Sequence, residues 1–238
     1  MLDVHPPEHA AHSWRDFFIH IATICVGLLI AVALEQSVEA LHRHHEAAGL
    51  REELRGESDQ VLKDCRRSQA GVVRQLKWND DRIQQVKATV WDHQPLPPLA
   101  EHPTVLFAAP DMPIWRSAKA GALTPLLSEA EINAYSEVEY VQMHVDLLAT
   151  DEAKAQQALD DFLDQYPELP HHLPDLSKAS PQDLRNYLTL LTALSEAQST
   201  YLNWTRIMTG AEVAINEGKT NLAEITQAEN QALHIPSN

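Results

Sequence analysis

From Phe17 to Gln36 the chain reads FFIHIATICVGLLIAVALEQ, and its first eighteen positions carry no formal charge. At a rise of ~1.5 Å per residue these eighteen span roughly 27 Å, close to the ~30 Å hydrocarbon core of a bilayer. Such a segment is a discarded signal, a buried core helix or a permanent anchor. A cleavable signal has a basic leader and small residues at its cleavage site. Here the leader MLDVHPPEHAAHSWRD has one Arg against three acids, and the run continues through Ala33-Leu34-Glu35-Gln36 to Val38 without a turn-forming break. Core helices are rarely apolar on every face over this length. The segment is therefore expected to be a membrane anchor. Trp14, Phe17 and Phe18 suit one membrane interface, and Arg15 can snorkel there.

One face of the expected anchor is itself a candidate binding surface. Thr23, Gly27 and Ala31 recur every four residues, and small residues at that spacing let a second helix approach closely. Membrane lipid is the first expected partner, and the helices of other membrane proteins or of a second copy are the next. His20, near the end of the span, reads as interfacial.

The 238 residues carry a formal net charge of -16, and the acidity is uneven. Residues 1–87 hold 11 Lys/Arg against 13 Asp/Glu, whereas 88–238 hold 7 against 21. So acidic a surface repels nucleic acid, and no nucleic-acid partner is expected. Cys25 and Cys65 are the two cysteines, one inside the apolar run and one alone in a polar helix, so neither a disulfide framework nor a paired-cysteine zinc site is available.

Beyond the anchor, no proline occurs from Glu35 to His93, and Leu50, Leu54, Val61, Cys65, Val72, Leu76, Ile83, Val86 and Val90 keep a helical period. That narrow stripe predicts a stalk helix packed in a bundle or coiled coil. Ser58, Ser68 and Asn79 interrupt it, and Gly49, Gly56 and Gly71 are expected to bend or loosen it. Six prolines in QPLPPLAEHPTVLFAAPDMP, residues 94–113, end the helix and form a connector with an apolar patch at Val105-Leu106-Phe107.

A short helix is expected from Pro113 to about Ala122. The capping-box pattern Ser128-Glu129-Ala130-Glu131 then starts a long helix reaching about Tyr166. After the loop PELPHHLPDL, Ser180-Pro181-Gln182-Asp183 caps another, with Leu184, Tyr187, Leu188, Leu191, Leu194, Tyr201, Met208 and Ile215 facing inward. Gly218 is expected to stop it, followed by a frayed helical tail through Ala232. No stretch alternates with period two. The chain is thus expected to be all-α: a polar tail (1–16), a transmembrane helix (17–36), a stalk (37–93), a Pro-rich connector (94–113), and residues 114–238 forming an antiparallel helical bundle completed by the stalk.

Catalytic signatures are missing from the sequence: there is no nucleophile elbow, phosphate-binding glycine loop, HExxH or CxxC. His42 and His45 offer one helix-face pair, which suits headgroup contact better than a metal. His171-His172 lie between prolines. Glu137, Glu139, Asp160, Asp161 and Asp164 have the spacing of a solvated helix face. No enzyme, cofactor or metal site is expected. Trp115, Tyr201 and Trp204 are the aromatics able to line a ligand pocket or fill a core.

Two stretches together carry a resemblance. GLLIAVALEQ leading straight into a charged helix, and Trp115-x-x-Ala118-x-x-Gly121-Ala122-Leu123 followed by the acidic capping box and Tyr135, resemble an uncharacterised bacterial family of single-pass membrane proteins. The similarity covers residues 14–50 and 112–140. It implies an architecture with no activity attached: the N-terminus inside the cell and the helical domain outside the inner membrane. The Lys/Arg count, with Arg15 before the span and Arg43, Arg51 and Arg55 after it, points the other way. The expected function is that of a membrane-anchored structural or interaction protein, an accessory or scaffolding subunit of a larger assembly. The alternative is an extracytoplasmic small-molecule sensor built on a four-helix bundle.

Overall fold

The computed structural model describes residues 14–103, 110–167 and 173–234. The apolar patch at 105–107, the His171-His172 pair and most of the polar leader fall outside these. All regular elements among the described residues are helical: α1 (Trp14–Asp92), α2 (Pro113–Ala120), α3 (Glu129–Leu163), α4 (Pro181–Asn216) and α5 (Leu222–Leu233), with 3₁₀ turns at Thr124–Leu126 and Leu176–Lys178. Two compact units divide the chain after Leu50, and α1 contributes to both.

In the first unit, α1 contains one stretch long and apolar enough to cross a membrane, and none of that stretch is buried within the protein. Leu29 is 69% exposed and Leu34 is 64% exposed. Thr23 and Ser37 return their hydroxyls to the carbonyls of Ile19 and Ala33, which removes two donors from an apolar surface. Trp14, Phe17 and Phe18 pack on one another with ring centroids 5.8–5.9 Å apart. Farther on, His42 and Arg43 pair with Glu46 and Glu39 along the helix.

The second unit has a packed interior. The stripe Leu54, Val61, Cys65, Val72 and Val86 on α1 is buried, as are Val138, Val145 and Leu159 on α3 and Leu191, Leu194 and Met208 on α4. Phe162 stacks on Tyr187 at 5.7 Å in the same cluster as Ile83, Val86 and Leu176. The helix starts form as their sequences require. Ser128 with Glu131, and Ser180 with Asp183, each make the reciprocal capping box. Gly218, at φ +80°, ends α4 with its own N–H on the Ile215 carbonyl and the Lys219 N–H on that of Ala214.

α1 ends at Asp92, within one residue of the expected stalk end, with His93 at φ 55° turning the chain ahead of Pro95. One feature differs from the expectation. The C-terminal segment is not frayed: Asn221 caps α5, and its Ile225 is fully buried. The polar residues that interrupt the α1 stripe lie on its inward face, with Ser58, Ser68 and Asn79 all 0–2% exposed.

Candidate functional site

A polar side chain on the inner face of a helix must find a partner, because an unpaired buried group loses its hydration without compensation. The inner face of α1 has several, and each reaches a partner far along the chain. Ser58 donates to Glu212 on α4. Gln69 donates to the Thr205 carbonyl at 2.9 Å and to the Thr209 hydroxyl at 2.8 Å. Asn79 donates to the Gln198 carbonyl oxygen at 2.9 Å, and the Gln198 amide donates to Gln75 and to Glu152 of α3, both at 3.0 Å. A polar seam therefore runs through the core from Ser58 to Asn79.

The seam's upper end assembles around α2. Met112 offers that helix no side-chain cap. Glu57 of α1 supplies one instead, accepting the Ile114 and Trp115 N–H groups at 2.5 and 3.1 Å. Trp115 stacks on Tyr135 at 5.4 Å and donates its indole N–H to Glu139, which also holds Lys119. Glu139 is thus a structural acceptor, not part of a freely solvated face. Burial raises Glu57, and burial raises Glu212 to about 7, with Ser58 working against the shift and Glu57 adding to it. Arg51 forks onto Glu131 at 2.5 and 2.9 Å, and that bond holds the Glu131 carboxyl down at about 2.

The seam's lower end holds the Pro-rich connector. Proline has a carbonyl but no N–H, so a proline segment can be fastened only by donors from elsewhere. Gln75 donates to the Pro103 carbonyl at 2.9 Å, Arg82 to that of Pro97 at 2.9 Å, and Gln142 to that of Pro110 at 2.7 Å. Arg82 is 3% exposed, and its guanidinium lies over the Tyr187 ring at 5.7 Å from the centroid.

Where the connector crosses the end of α3, a cleft of about 300 Å³ opens. Trp78 of α1, His102 of the connector, and Asp160, Asp164 and Tyr166 at the close of α3 line it over a floor that includes Leu159. His102 sits edge-on to Trp78 with centroids 4.6 Å apart, and burial lowers its affinity for a proton. Tyr166 packs on Phe162 at 5.4 Å and bonds to Asp183 at the start of α4.

The aromatics singled out from the sequence lie elsewhere. Trp115 and Tyr201 are fully buried, Tyr201 sharing a hydrogen bond with Ser68. Trp204 is half-buried and stacks flat on His144 at 4.4 Å. None of the three lines the cleft. Trp78 and His102 were missed because one reads as a core residue and the other as loop. The signal that could have found them is the pairing of a stalk aromatic with a proline-flanked His. Thr23, Gly27 and Ala31 share one exposed helix face, and a Cβ built on Gly27 would meet nothing within 4 Å. Trp14, Arg15, Phe17 and Phe18 are exposed at the head of α1. Among the described residues no group of three or more His, Cys, Asp or Glu is placed to hold a metal ion. No family model, curated protein or solved structure matches the chain.

Proposed function

We propose that this chain is a membrane-anchored interaction protein, held in a bacterial inner membrane by the first part of α1, with its helical domain on the periplasmic side. In this reading it is an accessory or scaffolding subunit, and it belongs to the uncharacterised single-pass family whose motifs it resembles. The observation that carries the reading is a contrast within one helix. From Phe17 to Leu41 the large apolar side chains of α1 lie exposed, whereas from Leu54 onward its apolar face is buried. Exposed apolar area on this scale is unfavourable in water and favourable in lipid. The second unit is read as an antiparallel bundle, since partners along α1 climb from Ser58 to Asn79 as those on α4 fall from Glu212 to Gln198. The stripe at Thr23, Gly27 and Ala31 is the proposed seat of a partner helix.

The full chain should remain with membranes after an alkaline carbonate wash and leave them only in detergent. Release by carbonate alone would overturn the anchor. In mild detergent, Gly27→Leu should abolish self-association or co-purification of a membrane partner; an unchanged mass and unchanged partners would remove the stripe from the reading. A second reading, a small-molecule sensor, is favoured by one observation, the aromatic cleft of about 300 Å³ beneath the connector.

A further inference from the structure

We propose that the cleft between Trp78 and Tyr166 takes a small organic cation: an amine carried on a compact apolar or aromatic body. This rests on the sensor reading and adds to it the chemical class of the ligand. Three features of the cleft converge on that class.

Its ionic lining is of one sign. Asp160 in the last turn of α3 and Asp164 at its C-cap stand one turn apart, and among the described residues no Lys or Arg lines the cavity. One oxygen of Asp160 accepts from Gln156 at 2.8 Å. His102 and Tyr166 are the other titratable groups on its described wall; burial holds His102 toward its neutral form and raises the Tyr166 hydroxyl, so neither adds a fixed positive charge. The same residues close a helix whose last turn contains no base. Carboxylates at the negative end of a helix dipole are unfavourably placed, and a cation bound beside them is favoured by charge and dipole together.

Its body is aromatic and held in place. The Trp78 ring is braced edge-on by His102, and Tyr166 is fixed by Phe162 on one side and Asp183 on the other. Rigid aromatic rings beside carboxylates are the arrangement that recognises alkylammonium groups, through the ring quadrupole and the counter-charge at once. Its size suits a ligand at the small end of the range that such clefts accept. The strongly acidic half of the chain adds long-range attraction for a cation, which affects the rate of encounter more than selectivity.

The test is a calorimetric titration of the full chain in detergent with three probes of one shape: 2-phenylethylammonium, neutral 2-phenylethanol and the anion 3-phenylpropionate. The cation should bind at least roughly tenfold more tightly than the anion. Asp160→Asn with Asp164→Asn should remove that preference while leaving the melting temperature in place, and Trp78→Leu should weaken all binding in the cleft. Asp80→Asn with Asp81→Asn, an exposed pair on α1, should leave the cation unaffected. Equal binding of cation and anion, or equal loss in both Asn pairs, would overturn the proposed ligand class and reduce the effect to general attraction by an acidic protein. Failure of all three probes to bind would overturn the sensor reading with it.

Discussion

Gly210 has almost no space around it where α4 meets α5. A Cβ built there would stand 2.7 Å from the Ala228 carbonyl oxygen and 2.8 Å from the Glu229 Cα. Both are backbone atoms, so neither can swing aside as a side chain could. Gly210→Ala should therefore shift α5 away from α4 and destabilise the domain by about 1–3 kcal/mol. Denaturant unfolding would measure the loss, and amide exchange in α5 should accelerate before that of α3. At Gly56, where a Cβ meets nothing within 4 Å, the same substitution should instead stabilise by up to about 1 kcal/mol. The sequence does not separate these two glycines. Each stands in a helical pattern, and the reason for Gly210 lies in a helix that begins twelve residues later. Glu57 makes the same point: it caps α2 across fifty-seven positions, a service that no local pattern announces.

Helix starts were legible because a cap is a local device. Ser128 and Ser180 announce their boxes within four residues, and the hydrogen bonds form as the spacing requires. The polar seam was illegible for the opposite reason. Asn79 and Gln198 lie 119 positions apart, and Asn79 alone reads as a break in an apolar stripe. Only their meeting turns that break into a satisfied layer. That layer predicts non-additive mutations. Gln198→Leu should cost about 2–4 kcal/mol, because it strands Asn79, Gln75 and Glu152 in the core at once. Replacing all four together with apolar residues of similar volume should recover much of that loss, and could leave the fold as stable as before. Urea unfolding of the four single variants and of the quadruple one checks this; simple addition of the single losses would mean that the four do not act as one network. The cleft was illegible on similar grounds, since it exists only where a proline segment, fastened by Gln75 and Arg82, crosses the end of α3.

At the scale of the whole domain, buried acids set how stability follows pH. Glu57, Glu152, Glu212 and Glu229 are each raised from an ordinary value of 4.5, in every case chiefly by burial. A raised acid binds its proton more tightly in the folded chain than in the unfolded one, so its contribution is complete below 4.5 and fades as pH climbs to the folded value. For Glu212 that window runs from 4.5 to about 7. The groups facing it are Glu57 and Cys65 from α1 and Tyr135 from α3, and Ser58 donates a hydrogen bond to it. Glu131 and His102 act differently. Glu131, held at about 2 by Arg51, withdraws stability only as pH falls below 4.5. His102, lowered by burial, favours the fold as pH rises near 6.5, opposing the acids in part of their window. The net charge of -16 reinforces the acids, since self-repulsion grows as more carboxyls ionise. Four groups and the overall charge against one histidine predict greatest stability near pH 5 and a steady fall toward pH 8. Glu212→Gln keeps a partner for Ser58 and removes the buried titration, so it should flatten the fall and restore on the order of 3 kcal/mol at pH 8. Chemical unfolding of both chains between pH 5 and pH 8 decides it: parallel curves would place the pH dependence elsewhere, while curves that converge at pH 5 and part at pH 8 locate it at the meeting of α1 and α4.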